Sequence, residues 1–331
     1  MIIRLKPDVT PEVIKTLAEK YRAIWVDGKQ NLLVLPSKIK SADAALQQVA
    51  EKVIVTDSDI QLASREFMPG RREIQLGDLR FGGDSRNTLM IAGPCSVESE
   101  EQIEQAAQLC VSLGIRVLRA GCFKPRTSPY TFQGLGIEGL RLLAQMREKY
   151  GLRIITEVRD STHVREVIEY TDIIQIGAKA MYDHGILRQC GKADKPVLLK
   201  RGFGTTLQEF VQAAEFILSG GNSQVILCER GIRTFETKTR FTLDLCGVEW
   251  LRQYTNLPVA LDPSHAMGYR YGVPGLARAC VAMGVDALLI ETHPNPDAAL
   301  SDAEQQLSFE EFQSLLPALK RVAESVGYRL V

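Results

Sequence analysis

The sequence lacks three features that would narrow its class at once: a long apolar run, an excess of charge of one sign, and closely paired cysteines. No apolar run approaches the roughly 20 residues that cross a bilayer, and residues 1–6 are too short and too polar for a signal peptide. The 40 basic side chains balance the 40 acidic ones, so no overall field attracts nucleic acid or an anionic membrane. We therefore expect a cytoplasmic protein with neither kind of partner, in which anion binding is local.

The seven cysteines are widely scattered, and no two of them form a C-x-x-C pair. This spacing favours neither a disulfide framework nor a structural zinc site. For most of these cysteines we expect small buried thiols in a reducing compartment.

A length of 331 residues fits one (β/α)₈ barrel of about 250 residues and one small module. Near the start, Thr10 followed by Pro11 predicts a helix to about Tyr21, and a second helix is predicted after Ser41. Strand-like segments complete a βαββαβ order, which is typical of ferredoxin-like domains that bind small effectors; they lie at 2–6, 23–26, 31–36 and 53–56. We predict a ferredoxin-like regulatory domain at 1–66, a linker with a short hairpin at 67–87, and a catalytic barrel at 88–331.

From residue 88 onward one unit repeats, in which a short apolar run ends in a polar residue and a helical segment follows. Eight such units close a parallel barrel. Eight runs are present, at 89–93, 116–121, 153–158, 173–179, 197–202, 225–231, 259–265 and 287–293. The sequence therefore predicts the α/β fold class and a (β/α)₈ TIM barrel.

Reactive side chains cluster at the C-terminal ends of all eight runs, and these ends meet at one mouth of such a barrel, where its catalytic groups lie. One group could hold a divalent metal ion: Cys95, His265, Glu291 and Asp302. Taken singly, Cys95 also fits a buried thiol and Asp302 a helix cap. The other group is cationic and predicts substrates with several negative charges, such as two phosphates and a carboxylate; it comprises Arg119, Lys124, Arg126, Lys179, Lys200, Arg201, Arg230 and Arg233.

Several strings in residues 88–325 resemble the motifs of 3-deoxy-D-arabino-heptulosonate 7-phosphate (DAHP) synthases. They are Gly93-Pro94-Cys95-Ser96, Lys124-Pro125-Arg126-Thr127-Ser128, Leu199-Lys200-Arg201-Gly202, Cys228-Glu229-Arg230-Gly231 and Asp262-Pro263-Ser264-His265. The chain resembles the subfamily that shares ancestry with 3-deoxy-D-manno-octulosonate 8-phosphate (KDO 8-phosphate) synthases. The string that begins at Lys124 has the DAHP synthase form, whereas KDO 8-phosphate synthases carry a Lys-Ala-Asn-Arg-Ser type sequence.

The resemblance implies a transferase that condenses phosphoenolpyruvate with D-erythrose 4-phosphate and water to give DAHP and phosphate, the first step of the shikimate pathway to aromatic amino acids. It also implies one divalent metal ion, Mn, Fe, Co or Zn, held by Cys95, His265, Glu291 and Asp302. Phosphoenolpyruvate would lie among Arg119, Lys124, Lys179, Lys200 and Arg230, and Arg126 and Thr127 would hold the phosphate of erythrose 4-phosphate. At position 179 the family usually has arginine, so lysine loses a bidentate contact there.

For catalysis we expect Lys124 to supply a proton, Glu157 to position water, and Asp262 to support the metal site. Glu157 also fits a structural ion pair with its cationic neighbours. The resemblance extends to N-terminal domains at which aromatic amino acids inhibit, and to homo-oligomers, with a tetramer favoured. Two alternatives stay open: a KDO 8-phosphate synthase acting on arabinose 5-phosphate, and a barrel retained as a binding scaffold without activity.

Overall fold

The computed structural model describes residues 1–28, 31–124 and 128–331. Its N-terminal part is a four-stranded antiparallel sheet in the order β2-β3-β1-β4, with two helices. The elements are β1 (Ile2–Leu5), α1 (Pro11–Tyr21), β2 (Ile24–Val26), β3 (Leu32–Val34), α2 (Ala44–Val49) and β4 (Ala50–Ile54). This order and pairing confirm the βαββαβ arrangement predicted for this part of the chain.

The two faces of this sheet are buried against different partners, because successive side chains of a strand point to opposite sides. Ile3 belongs to the same buried cluster as Ile14 of α1 and Leu46 of α2. Ile2, on the opposite face, belongs to the large cluster that includes Leu62 and the outer residues of the barrel strands. The N-terminal sheet is therefore packed on its own helices on one side and towards the rest of the chain on the other.

A hairpin closes one end of the barrel. Its strands are β5 (Glu73–Leu76) and β6 (Leu79–Gly82), paired antiparallel, as predicted for this segment. Ile74 and Phe81 are buried in one cluster with Leu89, Ile155 and Leu198, which lie in the N-terminal halves of barrel strands. The hairpin therefore covers the end of the barrel opposite to the strands' C-terminal ends.

Eight parallel strands form the barrel, and the last of them pairs with the first, so the sheet closes. This confirms the predicted TIM barrel. The strands are β7 (Asn87–Gly93), β8 (Val117–Arg119), β9 (Arg153–Val158), β10 (Ile173–Ile176), β11 (Val197–Lys200), β12 (Val225–Glu229), β13 (Val259–Leu261) and β14 (Ala287–His293).

Helices follow the barrel strands, and polar side chains cap several of their N-termini. Thr206 and Ser308 each form a reciprocal pair with a glutamate three residues later, the capping box. The helices are α3 (Glu100–Ser112), α4 (Ile137–Tyr150), α5 (Val164–Tyr170), α6 (His184–Gly191), α7 (Leu207–Ser219), α8 (Leu245–Tyr254), α9 (Pro263–Met267), α10 (Val273–Ala282) and α11 (Phe309–Ser325), with the short strands β15 (Leu307–Ser308) and β16 (Arg329–Leu330). Among the described residues no helix is both long and apolar enough to cross a membrane.

The segment between the N-terminal sheet and the hairpin is attached to the barrel by polar side chains. Glu215 of α7 accepts hydrogen bonds from the backbone N–H groups of Gln61, Leu62 and Ala63, at 2.7, 3.1 and 2.8 Å. Arg72 donates to Asn256 Oδ1 at 2.7 Å. The bonds to Glu215 satisfy backbone donors that have no strand partner.

Candidate functional site

The ends of the barrel strands bring most of the predicted side chains together at one mouth. A cavity of about 130 Å³ opens there, and eleven described residues line it. The predicted residues among them are Lys124, Glu157, Lys179, Lys200, Arg230, His265 and Asp302. Arg126 and Thr127 lie outside the described residues.

Three of the four predicted metal ligands converge closely. Cys95, Glu291 and Asp302 each offer one donor atom, and these atoms lie within 4.8 Å of one another. The fourth, His265, has its Nε2 atom 3.5 Å from Glu291 Oε1 and 3.9 Å from Asp302 Oδ2. One thiol, one imidazole and two carboxylates form a donor set that fits a divalent transition-metal ion.

His265 is oriented by Asp262, which lies three residues before it. Asp262 caps α9 by accepting from the His265 backbone N–H at 3.1 Å, and its Oδ2 atom lies 2.8 Å from His265 Nδ1. Because Nδ1 faces this carboxylate, Nε2 is the nitrogen directed at Glu291 and Asp302. A carboxylate behind the imidazole is the usual support of a metal-binding histidine.

Asp262 also pairs with Lys200, whose Nζ lies 2.6 Å from Asp262 Oδ2. Both groups are buried. Burial opposes the charged form of Asp262, but His265 and Lys200 outweigh it and hold the pKa of Asp262 well below its usual range. Burial lowers the pKa of His265 despite the nearby carboxylates. The imidazole is therefore neutral near pH 7, as metal binding requires.

Asp302 has an unusual backbone, with φ of 47°, in the left-handed region that non-glycine residues seldom adopt. Cys95 Sγ donates to its Oδ2 atom at 3.3 Å. Burial opposes its charge, but His265 and Lys124 outweigh this effect and lower the pKa of Asp302. The carboxylate is thus ionised and directed at the other proposed ligands.

Lys124 lies against Cys95. Its Nζ donates to Cys95 Sγ at 2.9 Å and to the Cys95 carbonyl at 3.1 Å. Burial raises the pKa of the Cys95 thiol to about 12, and the negative charge of Glu291 acts in the same direction. The thiol is therefore protonated near pH 7 without a metal ion, and Lys124 is held where it faces both this sulfur and the cavity.

The predicted cations Arg119 and Arg230 have different surroundings, and of the two only Arg230 lines the cavity. Arg119 donates to Glu291 Oε1 and to the Pro94 carbonyl, each at 2.7 Å. Arg230 is buried over the ring of Phe241, with 4.4 Å between guanidinium carbon and ring centroid, and its Nη1 has no hydrogen-bond partner among the described residues. Burial lowers the pKa of Arg230. An unsatisfied buried guanidinium N–H is well suited to an incoming oxyanion.

Arg201 and Arg233 do not fit the predicted cationic lining. Arg201 is buried and donates to Glu229 Oε2 at 2.9 Å and to Asp244 Oδ2 at 2.8 Å, so its charge is balanced away from the cavity. Arg233 is exposed and lies over the ring of Phe203 at 4.9 Å. Neither residue is among those that line the cavity.

Glu157, at the end of β9, is half-buried and lines the cavity, where it accepts from Gln175 Nε2 at 2.7 Å. Gly177 lies beside it, and a Cβ atom at that position would overlap Glu157 Oε1. Lys179 lies in a 3₁₀ turn at Ala178–Ala180 and lines the same cavity. The structure therefore brings Glu157 and Lys179 to the predicted mouth.

Sequence reasoning missed several residues of this site. Arg240, Phe203 and Phe241 also line the cavity, and Gln305 and Gln306 hydrogen-bond to the proposed ligands. The string of arginines and aromatics in residues 230–241 was a signal for two of the first three. No feature of the sequence alone distinguishes the two glutamines from surface glutamines, which are mostly exposed.

Comparisons with known proteins find similar sequences over most or all of the chain. A family model described as the DAHP synthetase I family matches residues 52–327. A phospho-2-dehydro-3-deoxyheptonate aldolase of Thermotoga maritima is 42% identical, and the match covers 100% of both chains. A 2-dehydro-3-deoxyphosphooctonate aldolase of Thioalkalivibrio sulfidiphilus is 32% identical over 72% of this chain and 90% of that protein.

Two solved structures of Thermotoga maritima proteins are also similar. A crystal structure of a phospho-2-dehydro-3-deoxyheptonate aldolase (DAHP synthase) has a TM-score of 0.81 and 41% identity, covering 100% of this chain and 99% of that one. A truncated form of 3-deoxy-D-arabino-heptulosonate 7-phosphate synthase has a TM-score of 0.76 and 43% identity, covering 82% of this chain and 98% of that one.

Proposed function

This chain belongs to the DAHP synthetase I family, and we propose that it is a metal-dependent DAHP synthase, which joins phosphoenolpyruvate to erythrose 4-phosphate. One observation carries the proposal: four donor groups suited to a transition metal lie together, and two of them, His265 and Asp302, line a cavity that five cationic side chains also line. This condensation requires a metal ion next to groups that bind phosphate and carboxylate.

In the proposed reaction, C3 of phosphoenolpyruvate forms a bond to the aldehyde carbon of erythrose 4-phosphate. Water adds to C2, and the bond from C2 to the phosphate oxygen then breaks to release inorganic phosphate. Cys95, His265, Glu291 and Asp302 would hold the ion, which supplies Lewis-acid polarisation of the aldehyde oxygen. The proposal does not choose among Mn, Fe, Co and Zn, because this donor set accepts each of them.

Lys124 is the proposed proton donor to the aldehyde oxygen as that oxygen gains negative charge. Burial acts against its charge, but neighbouring Cys95 and Glu157 outweigh burial and raise the pKa of Lys124. Its ammonium group is thus charged near pH 7 and lies beside the proposed ligand Cys95. Glu157 would orient the water that adds to C2, since its side chain lines the cavity.

Arg119, Lys179, Lys200 and Arg230 are the proposed binding residues for phosphoenolpyruvate. Their positive charges would favour both the bound substrate and the departing phosphate. Asp262 would act through others, since it contacts Lys200 and His265. Arg126 and Thr127 remain the proposed contacts for the phosphate of erythrose 4-phosphate.

The deciding experiment strips the protein with chelator, restores one divalent metal at a time, and follows loss of phosphoenolpyruvate. Erythrose 4-phosphate and arabinose 5-phosphate are compared as the second substrate. We expect metal-dependent consumption with erythrose 4-phosphate alone. Consumption with arabinose 5-phosphate instead would assign the rival KDO 8-phosphate synthase activity. A folded, metal-loaded protein that consumes neither would favour the scaffold alternative.

We also propose that the N-terminal sheet regulates the barrel by binding an aromatic amino acid. A cleft of about 680 Å³ lies between the edge of that sheet and the loops after α6 and α7, so a ligand that fills it would contact both the sheet and the barrel. Inhibition by tyrosine or phenylalanine that disappears when residues 1–66 are removed is the expected result. Inhibition that persists in the shortened protein would contradict this role.

A homo-oligomer, with a tetramer favoured, is the proposed assembly. Tyr130, Phe235 and Tyr271 are 97%, 98% and 77% exposed, and exposed aromatic groups of this kind suit burial between subunits. Light scattering measures the mass directly. A monomeric mass at micromolar concentration would exclude the assembly.

A further inference from the structure

The carboxylate of Glu291 is held by hydrogen bonds at both oxygen atoms. Oε1 accepts from Arg119 Nη1 at 2.7 Å, and Oε2 accepts from Gln305 Nε2 at 2.5 Å. All three side chains are almost fully buried. Glu291 is therefore fixed in rotation as well as in position, and the remaining lone pair of each oxygen has a defined direction.

The amide of Gln305 is itself held in one orientation. Its Oε1 atom accepts from Arg240 Nη1 at 2.6 Å. Arginine can only donate, so the oxygen of the amide must face Arg240 and the NH₂ group must face Glu291. The same guanidinium lies 3.7 Å from Asp302 Oδ1. Gln305 thus lies between one proposed ligand and a cation that contacts another.

Gln306 contacts the two segments that carry the proposed ligands Cys95 and Asp302. Gln306 is fully buried; its Oε1 accepts from the Cys95 backbone N–H at 2.9 Å, and its Nε2 donates to the Ser301 carbonyl at 2.8 Å. Ser301 directly precedes Asp302, whose backbone has the uncommon φ of 47°. One side chain therefore joins the end of β7 to the strained backbone that directs Asp302 at Cys95.

We propose that Gln305 and Gln306 are positioning residues that set the geometry of the metal ligands. Gln305 orients Glu291, and Gln306 fixes the separation between Cys95 and Asp302. Together they act on three of the four ligands from a single turn of chain between Asp302 and α11. The inference rests on the proposed metal site, because it concerns the ligands of that site.

The test is a titration of the chelator-stripped full-length protein with Co²⁺, followed by absorption spectroscopy. The affinity reports how well the ligands are arranged, the visible bands report the coordination geometry, and the near-ultraviolet band reports the bond from sulfur to cobalt. The variants are Gln305→Met and Gln306→Met, which keep side-chain length and remove the amide. Gln61→Met is the matched control, since Gln61 is also buried and hydrogen-bonded, to Met1 and Leu35 in the N-terminal part.

Loss of such supporting hydrogen bonds weakens metal binding by roughly ten- to a hundredfold, and we expect this loss for both variants. Gln305→Met should change the visible bands while the sulfur band persists, because Cys95 keeps its own support. Gln306→Met should alter the sulfur band. Gln61→Met should lower thermal stability and leave affinity and spectrum unchanged, which separates positioning from a general loss of stability.

Binding and spectra equal to those of the unsubstituted protein in both variants would overturn the inference and leave the metal site standing. If the unsubstituted protein binds no Co²⁺, both the inference and the metal site fail. Circular dichroism checks that each variant is folded. Should Gln306→Met not fold, Gln306→Asn replaces it: the shorter amide cannot reach both Cys95 and Ser301, so the same spectral change is expected.

Discussion

Exchange of Glu215 for glutamine tests how the segment before the hairpin is attached to the barrel. The carboxylate of Glu215 accepts three backbone hydrogen bonds from residues 61–63. Burial raises the pKa of Glu215 to about 7, against the opposing effect of these bonds and of Arg72. The group therefore takes up a proton on folding at mildly acidic pH.

The sign of the effect follows from the two pKa values, 4.5 for the ordinary group and about 7 in the folded protein. Between them the folded state binds more protons than the unfolded state, so the contribution of Glu215 to stability is fully present at low pH and is lost as pH rises through about 7. Where the folded state holds one proton more than the unfolded state, each pH unit changes the free energy of unfolding by about 1.36 kcal/mol. From about pH 5 to about pH 8 the protein therefore loses about 2.5 kcal/mol of stability through Glu215.

The assay is urea unfolding of the wild type and Glu215→Gln at both pH values. Glutamine does not titrate, so the difference in unfolding free energy between the two proteins should change by about 2.5 kcal/mol, with the wild type relatively more stable at the lower pH. Glu169→Gln, on the exposed surface of α5, controls for a general charge effect. A difference that is the same at both pH values would refute the reasoning.

Three further substitutions test single contacts. Gly177→Ala adds a Cβ that overlaps Glu157 Oε1, so we expect turnover to fall by roughly a hundredfold with a nearly unchanged KM for phosphoenolpyruvate in steady-state kinetics; unchanged turnover would contradict the role of Glu157. Arg201→Met leaves Glu229 buried and unpaired and should cost about 3–5 kcal/mol in denaturant unfolding, whereas a cost below about 1 kcal/mol would contradict the pairing. Lys179→Arg should lower the KM for phosphoenolpyruvate by roughly threefold, because arginine offers a bidentate contact; a raised KM would contradict it.

The barrel could be predicted because its physical cause is periodic in the sequence. Buried strands of a parallel sheet are continuous apolar runs, and polar residues are confined to their ends. The bounds were less well predicted: the run at 173–179 continues past the end of β10 at Ile176 into a 3₁₀ turn. The apolar pattern does not reveal where the backbone leaves the sheet, because residues of the following turn, such as Ala180, are buried like those of the strand.

The second helix follows Ser41 as predicted, but the sequence does not define its first residue. The helix begins at Ala44, and Asp43 caps it by accepting from the Leu46 backbone N–H. Ser41 and Asp43 are both common at helix N-termini, so residue type does not choose between them. The choice comes from tertiary packing, which buries Leu46 and Val49 against the sheet.

In the site, the sequence indicated which residues converge but not which charges balance one another. Arg201 and Arg230 were assigned to the same cationic lining, yet Arg201 is paired with Glu229 while Arg230 lines the cavity. Successive residues at a strand end point in different directions. Their partners come from other strands, and only the folded arrangement brings these together.

The pairing of charges identifies the cation that would contribute the most binding free energy to an anionic ligand. Arg119 and Lys200 each have a buried carboxylate partner, at 2.7 and 2.6 Å, so their positive charge is largely balanced before any substrate binds. Arg230 instead lies over Phe241, and its Nη1 atom has no hydrogen-bond partner among the described residues. A buried donor without an acceptor is costly, and an oxyanion that reaches it removes that cost. Binding of the substrate's phosphate should therefore depend more on Arg230 than on Arg119 and Lys200, which already have carboxylate partners.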